Sequence, residues 1–64
     1  MTSHIEKFFN LNDYERNIIW KAARAGNNPM TGALFQLYFP QLSPDEIRNL
    51  IRDVGKVDRV AGAA

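Results

Sequence analysis

Apolar positions along the chain fall into four groups divided by polar turns, and three of the groups repeat with helical spacing. Ser3 and Glu6 stand at capping-box spacing ahead of Ile5, Phe8 and Phe9, which predicts a short turn of helix. Two adjacent Phe in so small a chain suit a lid over a core better than an arm reaching for a partner. A second helix is predicted from about Asp13 to Ala25. Leu11, Tyr14, Ile18, Ala22 and Ala25 share its apolar face, and Ile19 and Ala23 widen it. Asn12 and Glu15 repeat the capping-box spacing, and Gly26 is placed to stop the helix in a left-handed conformation. The last group, Ile47, Leu50, Ile51 and Val54, is a regular stripe on a helix from Pro44 to Val54. Ser43 caps that helix, Pro44 suits its first turn, Glu46 completes a capping box, and Leu42 with Ile47 has the spacing of a hydrophobic staple. Gly55 is placed to end it.

The central group is the densest. Between Pro29 and Pro40 stand Met30, Ala33, Leu34, Phe35, Leu37, Tyr38 and Phe39. Asn28 caps the predicted helix and Pro29 opens it, while Pro40 cannot continue it. Met30, Ala33, Leu34, Leu37 and Tyr38 make one broad face, and Phe35 and Phe39 fall outside it. A helix apolar nearly all round is normally buried. A chain of 64 residues has little to bury it with. Gly32 inside the helix is a weak sign of close approach by a neighbour. The fold expected is all-α: a small three-helix domain with a short N-terminal helical turn. It spans residues 1–60, with a disordered tail at 61–64.

Charge and residue chemistry then exclude much. Eight Lys and Arg against seven Asp and Glu give a net charge of +1, far from the basic footprint of a non-specific nucleic-acid binder. There is no cysteine, which removes disulfides, thiolate metal sites and thiol catalysis together, and His4 is the single histidine. Every acidic cluster has cap spacing, and no glycine-rich phosphate loop is present. The expectation is therefore no enzyme, no cofactor, no metal and no small-molecule substrate. No apolar run approaches the roughly 20 residues of a membrane span, and no basic segment precedes a long apolar one, so a cytoplasmic protein without a membrane partner is expected.

What remains is binding. Below roughly 70–80 residues a chain without disulfides or metals usually gains from association. Trp20, four residues from both Arg16 and Arg24, lies off the face of the second helix and forms a ridge of residue types enriched at binding hot spots. Trp20, Arg16 and Arg24, with Phe35 and Phe39, are the expected contacts to a protein partner or a second copy in a homodimer. The function expected first is that of a small regulatory protein acting through this apolar and aromatic surface. The alternative is a helix-turn-helix-like transcriptional regulator reading DNA with the helix at 44–54 through Arg48, Asn49 and Arg52, since Arg and Asn pair with guanine and adenine edges. Asp45 and Glu46 at that helix's start face phosphates badly, and the stretch from Gly26 to Ser43 is long for the motif. A structural piece of a larger assembly is a third class. Phe39 to Ile51, FPQLSPDEIRNLI, resembles a stretch of small ubiquitin-binding three-helix domains. Their pattern continues into a third amphipathic helix, where this chain reads Val60-Ala61-Gly62-Ala63-Ala64, so the resemblance is set aside.

Overall fold

A computed structural model of the chain describes residues 4–26 and 28–57. The fold is all-α, as the spacing predicts. Four helices follow in order: α1, Ile5–Phe9; α2, Asp13–Arg24; α3, Pro29–Tyr38; and α4, Pro44–Gly55. The tail expected at 61–64 and the Ser3 cap lie outside the described residues.

The predicted caps hold the helix starts. Asn12 Oδ1 accepts from the Glu15 amide at 2.8 Å, and Asn28 Oδ1 from the Thr31 amide at 2.8 Å. Gly26 takes φ +111°, a conformation that side chains resist, so α2 ends there. At α4 the box is reciprocal: the Glu46 amide donates to Ser43 Oγ at 3.2 Å, and the Ser43 amide donates to Glu46 Oε1 at 2.8 Å. Gly55 is the last residue of α4, and Lys56 caps it. A Cβ at Gly55 would stand 3.6 Å from the Ala23 carbonyl oxygen, so the close helix approach belongs there; at Gly32 a Cβ would meet nothing within 4 Å.

The core is one cluster drawn from every helix: Phe8 of α1, Ile19 and Ala23 of α2, Phe35 of α3 with Phe39 and Leu42 beyond it, and Ile47, Leu50, Ile51 and Val54 of α4. The α4 stripe is buried as its spacing predicts. Five residues are too few to hold a helix alone, so α1 depends on its packing. Phe8 is fully buried, and His4 Nε2 lies 3.1 Å from Glu46 Oε2 on α4. Phe9 stays part-exposed with its ring 5.1 Å from that of Phe8, so half of the expected lid is realised.

Two helices are rotated from the phase expected. In α2 the buried residues are Ile19 and Ala23, which only widened the expected face, with Arg16 and Trp20 half-buried beside them; of the face drawn through Leu11, Tyr14, Ile18, Ala22 and Ala25, only Leu11 and Ala22 pack against the core. Tyr14 and Ala25 are exposed. In α3 the inward residues are Thr31 and Phe35, followed by Phe39 at the cap. Thr31 is tolerated inside because its hydroxyl donates to the Ala22 carbonyl at 3.2 Å, which also fastens α3 to α2.

The capping box makes a measurable prediction. The Ser43 amide, then the His4 ring and the Ser43 hydroxyl, hold the Glu46 carboxyl below its ordinary value of 4.5. A lowered folded value means that the contribution is complete above 4.5 and is lost as pH falls through the folded value. Ser43→Ala is expected to cost about 1 kcal/mol in a neutral thermal melt. Glu46→Gln should narrow the gap between neutral and acid melting temperatures; an unchanged gap would show that the box contributes nothing.

Candidate functional site

The residues expected at the partner surface fall in two other places. Phe35 is 0 % exposed and Phe39 is 6 % exposed, their rings 6.0 Å apart in the core. A partner could reach neither without opening the bundle, so the aromatic surface expected at these two positions does not exist. Trp20 is half-buried against the core, and its indole N–H donates to the Val57 carbonyl at 2.7 Å. Trp20 thus ties the segment after α4 onto α2. The Arg24 guanidinium lies 5.2 Å from the Trp20 ring centroid, in the stack that the spacing anticipates. Arg16 is held at the turn before α2. It donates to the carbonyls of Phe9 at 3.0 Å and Leu11 at 2.9 Å and pairs with the Asp13 carboxylate, closing the turn between α1 and α2. The ridge is a fold staple at Arg16, a half-covered lock at Trp20, and an exposed cation only at Arg24.

The surplus apolar surface lies instead on the far side of α3. Met30 is 82 % exposed and Leu37 is 74 % exposed, and Ala33 between them is exposed too. Residues 30, 33 and 37 stack on one side of a helix, directly opposite the inward Thr31 and Phe35. Leu34 and Tyr38 flank this stripe half-buried, packing on the core's edge. No charged residue occurs between Arg24 and Asp45, so the stripe and both ends of its helix are uncharged.

A cleft borders each end of α3. At its N-terminal end, Ala22, Ala25, Met30, Thr31 and Leu34 line about 200 Å³ of largely apolar space. At its C-terminal end, Leu11, Tyr38, Phe39, Pro40 and Leu42 line about 290 Å³, with Lys7 the one charged side chain in the wall. Gln36 holds the turn that shapes this second cleft, donating to the Leu42 carbonyl at 3.1 Å and lying within 3.5 Å of the carbonyls of Phe39 and Pro40.

Arg48, Asn49 and Arg52 are exposed on α4, as the DNA-reading alternative needs. Arg48 and Arg52, with Lys56, border an open cleft of about 490 Å³. That face is electrically balanced. Arg48 pairs with Asp45 at 3.0 Å, the Arg52 Nε stands 3.9 Å from Asp53, and Glu46 lies at the same helix's start.

Among the described residues no helix is long and apolar enough to cross a membrane, and no three His, Cys, Asp or Glu side chains gather where a metal could bind. Comparison with protein families, with curated proteins and with solved structures finds no match to this chain.

The outward stripe of α3 is what sequence reasoning missed as a surface: Met30, Ala33 and Leu37 were read only as part of one broad apolar face, and the partner contacts on this helix were expected at Phe35 and Phe39. The missing signal was the polar pair Thr31 and Gln36, both of which have internal partners.

Proposed function

We propose that this chain is a small non-enzymatic regulatory protein that binds another protein chain through the outward face of α3. The observation that carries the reading is the exposure of Met30 and Leu37 on a helix with no charge along it. An exposed apolar patch bordered by clefts is the usual signature of an interaction surface. The non-enzymatic part rests on how the chain's chemistry is spent. His4 engages Glu46, Asp13 engages Arg16, and Asp45 engages Arg48. Compared with α3, the α4 face is a weaker candidate, because its cations are matched by carboxylates that would oppose phosphate.

The test compares three forms of the protein as bait in an extract of its own host: the native chain, Met30→Glu/Leu37→Glu, and Arg48→Ala/Arg52→Ala. Surface changes of this kind usually move stability by about 0.5 kcal/mol or less, so all three should melt alike. The α3 variant should lose its bound protein by at least about 30-fold, the scale of one hot spot, and the α4 variant should keep it. An identical bound set on native and α3-variant bait defeats the proposal. Nucleic acid retained by the native chain and lost from the α4 variant would establish the DNA reading in its place.

A further inference from the structure

Sulfur occurs in this chain only at Met1 and Met30, since there is no cysteine. The thioether is a common target of peroxides, so the place of the sulfur decides what oxidation does to the protein. Met1 lies outside the described residues. Met30 stands on the outward face of α3 and, at 82 % exposed, is the most open of the large apolar side chains described. The core cluster is built of Phe, Ile, Leu, Val and Ala alone. An oxidant therefore finds no sulfur inside that cluster and meets Met30 at the surface. Resting on the reading of α3 as the binding surface, we infer that Met30 is a modification site: a peroxide converts its thioether to the sulfoxide, which closes the α3 face to partners and leaves the fold intact, and reduction reopens it.

The step is a two-electron oxygen transfer. A lone pair of Met30 Sδ attacks one oxygen of the peroxide, the O–O bond breaks and an S–O bond forms. The proton of the transferred oxygen passes to the leaving hydroxide, which departs as water. Sulfur is oxidised and the peroxide is reduced. The return uses two thiols: the sulfoxide oxygen leaves as water while the thiols join as a disulfide.

The product puts a polar group where a flexible apolar one stood. Met30 and Leu37 are the two long side chains of the stripe, and Met30 also walls the cleft beside Ala22, Ala25 and Leu34. A partner lying on the stripe must then strip water from the S–O oxygen against three hydrocarbon side chains, none of which can donate a hydrogen bond to it. The inward side of the helix is untouched. Thr31 keeps its bond to the Ala22 carbonyl, Asn28 keeps the cap, and Phe35 stays enclosed.

The experiment treats the purified native chain and Met30→Leu alike with hydrogen peroxide, so that Met1 is oxidised in both. Tandem mass spectrometry should find one added oxygen on Met30 in the native chain, and its melt should overlay that of untreated protein. The treated native chain should elute earlier from phenyl resin, and methionine sulfoxide reductase with dithiothreitol should restore its retention. As bait in the host extract, it should lose its bound protein by about tenfold or more, the worth of one buried Met side chain. Treated Met30→Leu should keep it. Resistance of Met30 to peroxide in the folded chain, or a lowered melt once it is oxidised, overturns the inference. So does a full bound set on oxidised native bait when Met30→Glu/Leu37→Glu bait has lost its own, a result that leaves α3 as the binding surface. A full set on the double Glu variant as well would mean that the α3 reading has failed and the switch with it.

Discussion

Phe35→Ala is expected to remove roughly 3–5 kcal/mol of stability, the range for deleting a buried aromatic ring. Phe35 is fully enclosed and is among the largest side chains in the core. A domain of this length holds roughly 3–10 kcal/mol in total at the usual density per residue, so the variant should be largely unfolded or nearly so. Leu37→Ala, two positions along the same helix, should cost about 0.5 kcal/mol or less, because its side chain is in solvent. Urea melts followed by circular dichroism will rank them. Similar midpoints would mean that α3 is rotated from the orientation described, since one helix cannot bury both sides against a single core.

Trp20→Ala is the second large effect, and it should appear in stability rather than association. The indole packs half-buried on the core and its N–H holds the Val57 carbonyl. Loss of the ring should cost about 3 kcal/mol, the low end for Trp in view of its partial exposure. Trp20→Phe keeps the apolar body and removes the donor, so about 1 kcal/mol is expected from the lost hydrogen bond. Emission from Trp20 should already be shifted to the blue in dilute, monomeric protein. If the Ala variant melts with the native chain while capture of bound protein collapses, Trp20 is an interface residue and its contact with Val57 is unimportant.

How far each helix could be read from its residues depended on how its polar positions were distributed. In α4 four branched aliphatics stand among charged residues, so only one orientation buries them, and Ile47, Leu50, Ile51 and Val54 are all inside. The caps at Asn12, Asn28 and Ser43 were legible because each is a local bond between a side chain and an amide three residues on. In α3 nearly every position is apolar, and apolar spacing alone cannot choose which side faces in. The choice there is made by Thr31 reaching Ala22 and Gln36 reaching Leu42, pairings that involve other elements. In α2 the sequence pattern set a charged Arg16 outside, whereas its guanidinium turns back onto the Phe9 and Leu11 carbonyls. Of the candidate site, the existence of surplus apolar surface on α3 was readable from the mismatch between that helix and the chain's length. Its position was not, because Phe35 and Phe39 compete with Met30 and Leu37 for the same interior.

The contact of His4 with Glu46 joins the beginning of the fold to its last helix, 42 residues on. A five-residue helix has no stability of its own, so α1 acquires its shape only once α4 exists. During synthesis α1 emerges before α4 and therefore finds its place only after α4 has been made. Until α4 has been made, Phe8 has no finished core to enter, and it stays exposed on the nascent chain. Folding of this unit waits for α4, and a truncation that removes α4 should leave α1 unformed as well.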